Sequence, residues 1–348
     1  RQYVAWTLWL IMNLLKKTYR LVIVTFGILS FSIQNNYGQS ENKSRDTLIH
    51  TTYGKKYGGI ITNFEGYYTV YSIEKEKYGL IDSLGNEVVP PIYFQIGPVG
   101  DGMVSVSTGK KWGYKNLNNG KTTPEKYINA GRFVNGYSVV SLIAKDSRKY
   151  FGVINKKGRT IVPFIYESIG SRNGVFQEEK ACVCASNESR QIKCGFVNLK
   201  GKIVIPLKYD GIFINYTDGI SLVKGNNRIG GINHLGDTVI PFIYSNAYEI
   251  RDGLVSVCLS SSDNKTGYWG IIDTTGKQII PFLYSDIGYF NEKIAVVKKG
   301  EHWGLINRYN QPLTEFKYDF GFTFENGKAY LTKDKKKYLL ENGDEIDE

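Results

Sequence analysis

The sequence predicts an all-β protein built from tandem repeats of about 37 residues, propeller-like in plan, with an open solenoid of β-hairpins as the alternative. Three observations predict it. A glycine recurs at Gly79, Gly113, Gly152, Gly195, Gly230, Gly270 and Gly304, at intervals of 34, 39, 43, 35, 40 and 34 residues, a period that marks stacked or radial repeats. Fixed offsets accompany it. Three residues on stand Asp82, Asn116, Asn155, Asn198, Asn233, Asp273 and Asn307. Fourteen residues on stand Tyr93, Tyr127, Tyr166, Tyr209, Tyr244, Tyr284 and Tyr318. Finally, no segment sustains a helical period, while apolar runs are short and turn residues frequent.

Each part of the phrase has its own reason. In the third copy, Gly152-Val153-Ile154-Asn155-Lys156-Lys157-Gly158 reads as a strand entering a turn. There Asn155 can bond its own backbone and Gly158 can take positive φ. The run Arg159-Thr160-Ile161-Val162-Pro163 is rich in β-branched residues until Pro163, which has no N–H and belongs at a strand end or an edge. Proline recurs there at Pro90, Pro124, Pro163, Pro206, Pro241 and Pro281, so the second strand of each hairpin is expected to stop at it. Beyond the Tyr, Asn135-Gly136 and Asp252-Gly253 precede alternating apolar strands, and Asn291-Glu292-Lys293 follows the same plan. With short stretches such as Gly211-Ile212-Phe213-Ile214, each period holds three clear strands and a candidate fourth.

The slot before the Gly holds Tyr78, Trp112, Phe151, Trp269 and Trp303, with Cys194 and Ile229 in the other two copies. Apolar substitutes in an aromatic slot argue for packing rather than chemistry. The Tyr array is expected to bury each ring between neighbouring repeats, with its hydroxyl on a backbone group.

The phrase resembles the WG repeat family, named for its Trp-Gly pair, seen here as Lys111-Trp112-Gly113, Tyr268-Trp269-Gly270 and His302-Trp303-Gly304. The resemblance covers seven copies over residues 77–318. Tyr57-Gly58-Gly59-Ile60-Ile61-Thr62 is read as an amino-terminal remnant and Lys337-Tyr338-Leu339-Leu340-Glu341-Asn342-Gly343 as a truncated last copy, giving a repeat domain over 57–348. The family is mainly bacterial and implies a fold, with no catalytic residue to carry over. The seventh copy departs most, with Asn310 in place of the second Gly and Glu315 in place of Pro. The second copy has Lys115 at an otherwise apolar position and its turn glycine displaced to Gly120, which predicts an exposed strand.

Ahead of the repeats, Lys16, Lys17 and Arg20 precede a mostly apolar run from Leu21 to Ile33 and then polar Gln34 to Ser40. That is the plan of a cleaved secretory signal peptide over residues 1–38, its core too short for a membrane span. An uncleaved anchor is the alternative. The natural start is expected at Met12, with 1–11 as upstream translation and 39–56 as a linker. The expected location is periplasmic, cell-surface or secreted.

Removing residues 1–38 lowers the formal charge from +11 to +7, because Arg1, Lys16, Lys17 and Arg20 go and no acid does. An acidic glycan or an anionic surface suits that charge; nucleic acid does not suit an exported chain. The densest cluster, Lys333, Lys335, Lys336 and Lys337, reads as a solvated face. Of the four cysteines, Cys182 and Cys184 alternate on one strand, and Cys194 follows across a polar loop from Ser186 to Gln191. A bridge from Cys194 to that pair, as in Cys184 with Cys194, is open in an oxidising compartment. Buried thiols are the reading favoured by Cys194 occupying a packing slot and by Cys258 lying in a comparable strand.

No general acid or base, activated nucleophile, metal set or cofactor motif stands out. His50, His234 and His302 lie in an amino-terminal loop, a repeat turn and a strand start, without a recurring acidic or Cys partner. Asp82 and Asp273 occupy positions that are Asn in other copies, which fits turn bonding better than acid catalysis. The expected function is a non-catalytic binding or scaffold module for a protein or glycan outside the cytoplasm. Its specificity is placed in the long insertions Ile143 to Tyr150, Ser171 to Lys180, Ser186 to Gln191 and Leu259 to Thr266. The alternative is a hydrolase of polysaccharide or peptide, with carboxylates gathered in a central pocket.

Overall fold

In a computed structural model, residues 56–170, 175–260, 267–291, 294–325, 328–341 and 344–346 are described. The leader over 1–38 and the linker up to 55 lie outside them. The described chain is a succession of antiparallel sheets, each an up-and-down meander taken in chain order. Four-stranded sheets span residues 59–93, 129–166, 168–209, 211–244, 246–284 and 320–346, and three-stranded sheets span 95–116 and 286–307. Among the described residues no closed barrel is formed. In plan this is the propeller-like arrangement of about four strands per repeat.

The recurring phrase supplies the third and fourth strands. The residue before each Gly faces the Tyr across the ladder: Tyr78 pairs with Tyr93, Phe151 with Tyr166, Cys194 with Tyr209, Ile229 with Tyr244 and Trp269 with Tyr284. Trp112 with Tyr127 and Trp303 with Tyr318 form the same pair as isolated bridges. Those two belong to the second and seventh copies, the departures from pattern. In both, the fourth strand is reduced to isolated bridges. Lys115 lies in a third strand shortened to Gly113–Asn116, half-buried rather than exposed, and its ammonium donates to the Gly120 carbonyl at 3.1 Å.

Immediately after the paired aromatic, the register shifts, and the Gly sits in the shift. A β-carbon on Gly152 would lie 2.8 Å from the Val162 carbonyl oxygen and 2.9 Å from the Phe164 ring. Only glycine allows the fourth strand to cross so close.

The expectation that Pro stops the strand needs correcting. Glu87–Tyr93 runs through Pro90 and Pro91, and Thr160–Tyr166 through Pro163. The fourth strand lies at the sheet edge, where a residue without an N–H forfeits no ladder partner. Likewise Gly59–Thr62 is the first strand of the first sheet, completed by Tyr68–Ser72 and by the first phrase, not a worn copy of the phrase itself. At the other end, Lys336–Glu341 takes the third-strand place of the last sheet.

Burial explains the strand compositions. Second and third strands are buried on successive residues, as in Lys180–Ser186 and Ile192–Asn198, because both faces meet neighbouring sheets. Fourth strands alternate, with Val162, Ile205, Ile240 and Ile280 fully inside. Clusters join consecutive sheets: Val153, Val162 and Tyr166 pack on Val183 and Val197, and Leu222, Ile240 and Tyr244 on Val255, Val257 and Ile272. Among the described residues no such cluster joins the first sheet to the last. The first strands are irregular, and two buried serines on second strands serve carbonyls in or just past them. Ser221 donates to Ile214 at 2.7 Å and Ser138 to Gly131 at 2.8 Å.

All seven repeat tyrosines are buried. Their hydroxyls are not uniformly on backbone groups as expected, since Tyr284 donates to the Asn310 side chain at 2.6 Å. Backbone carbonyls are met instead by Tyr114, on Gly131, and Tyr216, on Asn233, each at 2.8 Å. Cys184 and Cys194 face each other across the ladder and are joined by a disulfide, while Cys182 and Cys258 are buried thiols.

Candidate functional site: the turn face

In an up-and-down sheet, the turn from the first to the second strand and the turn from the third to the fourth open at the same end. That end is here called the turn face. The first-to-second turns place acidic or amide residues at positive φ, including Glu65, Asp101, Asn135, Glu178, Asp218 and Asp252. Four of the carboxylates reach the next sheet's turn. Glu65 accepts the Asp101 and Gly102 amides at 2.6 and 3.1 Å, and Asp101 accepts the Gly136 amide at 2.5 Å. Glu178 accepts Gly219 at 3.3 Å, and Asp218 accepts Gly253 at 3.0 Å. These acids fasten one sheet to the next. In the sequence they read only as turn residues, because their partners lie 35 to 41 positions away.

The third-to-fourth turns are built on the residue three after the Gly. Asn155 Oδ1 accepts the amides of Lys157 and Arg159, each at 3.0 Å, and Asn198, Asn233, Asp273 and Asn307 repeat this two and four residues on. Asp82 does the same with Leu84 and Asn86. Asn116 accepts two and three residues on, as the displaced Gly120 requires. Asn310 takes the positive φ, 61°, that glycine takes in other copies. The two carboxylates in this series therefore do the work of asparagines. For Asp273, the Thr275 hydroxyl is the main influence; desolvation opposes it, and with the Lys277 and Thr275 amides added the carboxyl is held below the usual range.

Two places on this face break the repeat. Between the fourth and fifth sheets, His234 Nε2 stands 3.0 Å from a Glu178 oxygen and Nδ1 2.7 Å from Lys180 Nζ. The ring stacks on Tyr216, centroids 4.7 Å apart and planes at 12°. An ammonium only donates, so Nδ1 accepts and Nε2 carries the proton towards Glu178. Both ring nitrogens are thus engaged, leaving no lone pair for a general base. Burial pushes the Tyr216 phenol well above its usual range. The sequence showed His234 only as a turn residue, with its lysine partner 54 positions upstream. His302 opens a strand on exposed ground and His50 lies outside the described residues.

On the same face, the third sheet holds a shallow cleft of about 310 Å³ lined by Gly136, Asn155, Lys156, Lys157 and Arg159. Gly136 and Asn155 to Arg159 come from the two turns of one sheet. Of the insertions expected to carry specificity, Ile143 to Tyr150 and Ser186 to Gln191 join second to third strands, at the opposite end. There Asp146 holds Arg148 at 2.7 Å and Tyr150 at 3.1 Å, and Glu167 holds the Ser186 hydroxyl at 2.5 Å. Residues 171–174 and 261–266 of the other two insertions lie outside the described residues. Among the described residues, no group of three or more His, Cys, Asp or Glu could hold a metal ion. Nor is any helix long and apolar enough to cross a membrane.

The family model for WG containing repeats matches residues 78–112, 151–185, 195–228, 230–260, 269–301 and 303–336, more than half of the chain. The chain belongs to the WG repeat family. Each WG repeat match opens within one residue of the aromatic slot, and the second copy, from Gly113, is not among the matched segments. None of the curated proteins matches the chain. Solved structures similar to it include a eukaryotic initiation factor, 9% identical over 74% of this chain and 77% of that one, with a TM-score of 0.46. Others are the acylaminoacyl peptidase of Pyrococcus horikoshii, 10% identical over 78% of this chain with a TM-score of 0.31, and oligopeptidase B of Leishmania major, 8% identical over 90% with a TM-score of 0.36. The chain spans 57% of the length of each peptidase.

Proposed function

We propose that the WG repeats form a non-catalytic binding module that presents its turn face to a protein or glycan outside the cytoplasm. One observation carries this reading: six carboxylates of the turn face are already committed. Glu65, Asp101, Glu178 and Asp218 accept amides from neighbouring turns, and Asp82 and Asp273 accept those of their own. A hydrolase of the retaining or inverting kind needs two carboxyls facing one substrate, and the lining of the cleft contains cations and no carboxylate. The rigid sheets hold the turns in fixed positions, which lowers the entropy lost on binding. Export rests on the basic cluster and apolar run before Ile33.

The test is full-length protein screened on immobilised glycans and extracellular proteins, with soluble products assayed in parallel. Retention of a ligand without product formation is expected. Steady product release abolished by a single Asp or Glu substitution would replace this reading with the hydrolase.

A further inference from the structure

We propose that the cleft between the two turns of the third sheet binds an acidic polysaccharide, whose carboxylate or sulfate groups are taken by Lys156, Lys157 and Arg159. This rests on the binding-module reading and names its ligand class. The three cations are exposed, and among the described residues none is in an ion pair. Their backbone is fixed: Asn155 ties both the Lys157 and Arg159 amides at 3.0 Å, and Gly158 closes the turn at φ 74°. With the backbone already set, only the three side chains remain to be ordered when an anion arrives. Asp101 is the acid at the rim, and its carboxylate already accepts the Gly136 amide at 2.5 Å.

A polymer fits better than a single anion because the cations continue onto the next sheet. Gly201, in the equivalent turn of the fourth sheet, rests against the backbone of Ile161 and Val162, just past Arg159. Lys200 and Lys202 flank that glycine and are exposed. The row therefore crosses a sheet boundary, as a repeating anionic chain would require. A peptide is the weaker fit, since the lining offers no aromatic or aliphatic pocket for an anchoring side chain.

The experiment measures binding of polygalacturonate to immobilised full-length protein at physiological ionic strength, with neutral dextran, polyglutamate and duplex DNA as comparisons. K156E/K157E/R159E is set against K333E/K335E/K336E, which changes the charge equally at a turn of the last sheet. Thermal unfolding checks both, and K156Q/K157Q stands in if the triple variant does not fold. A loss of at least tenfold in the cleft variant, with less than twofold in the control, is expected. Equal losses in both would reduce the attraction to diffuse charge and overturn the site. Polyglutamate or DNA held as tightly as polygalacturonate would overturn the ligand class. If the protein ignores polygalacturonate yet retains another glycan or protein, the cleft proposal fails while the binding module stands. Product release with no retained ligand would remove both.

Discussion

Tyr209 lies nearly parallel to Phe242 in the following sheet, ring centroids 6.2 Å apart and planes at 10°. Tyr127 with Phe164, Tyr244 with Phe282 and Tyr284 with Phe316 repeat the relationship at 6.4, 6.0 and 6.4 Å. Tyr209, Tyr244 and Tyr284 end fourth strands and Phe164, Phe242 and Phe282 sit on the fourth strand of the sheet that follows, while Tyr127 and Phe316 hold the same places in the two copies whose sheets have three strands. The Tyr residues are therefore pegs between repeats, and their partner is the residue twelve after the next Gly. In the fourth copy Leu207 takes that place beside Tyr166.

Tyr209→Ala removes a buried ring and leaves Phe242 facing a void. Substitutions of that kind cost about 3 to 5 kcal/mol, and the urea midpoint should fall accordingly. Phe242 is only half-buried, so Phe242→Ala should cost less. Equal stability of Tyr209→Ala and the parent would mean that the ring is not a peg.

Gly152→Val tests the crossing at the register shift. Its β-carbon would meet the Val162 carbonyl oxygen at 2.8 Å, closer than packed atoms tolerate. Either the bulge opens or the fourth strand lifts from Phe151, and a loss of about 2 kcal/mol or more is expected by chemical denaturation. The contrast is Gly136→Ala, which meets no neighbour but has φ 85° and should cost about 1 kcal/mol from backbone strain.

The cysteines divide cleanly. Cys182 and Cys258 are buried, and burial pushes the Cys182 thiol up to about 12. Alkylation of the native protein should therefore add no label, whereas alkylation in denaturant without reductant should add two. Reducing the Cys184–Cys194 bond, which closes a separation of 10 residues, should lower stability by about 2 to 3 kcal/mol on the chain-entropy estimate. Four labels in denaturant before reduction would show that the bond is not formed.

What the sequence revealed was whatever recurs. Gly152, Asn155 and Tyr166 sit at fixed offsets because one sheet builds them, so their packing and turn roles could be read directly. Pro163 was misjudged since a stopped strand and an edge strand leave the same mark in one dimension. The Asp218 to Gly253 fastening and the Glu178, Lys180 and His234 contacts went unseen. They join different repeats, and nothing in a linear pattern says which turn leans on which. The cleft was hidden likewise, because Gly136 and Lys157 converge only when the first and third strands end together.

Asp273 gives a pH prediction that its asparagine counterparts cannot show. Its folded carboxyl is held below the usual range by Thr275 and the turn amides, while the unfolded carboxyl titrates near about 3.9. The folded state thus binds fewer protons, and the turn's contribution is complete above the unfolded value and fades as pH falls through the folded one. Asp273→Asn keeps an acceptor for Thr275 and Lys277 but cannot titrate. Relative to the parent, that variant should lose less melting temperature between about pH 5 and pH 2.5, with a small difference because the group is solvent-exposed. Asn155→Asp should do the reverse, adding acid sensitivity to a turn that has none. Parallel pH profiles for parent and both variants would show that the carboxylate contributes nothing an amide does not.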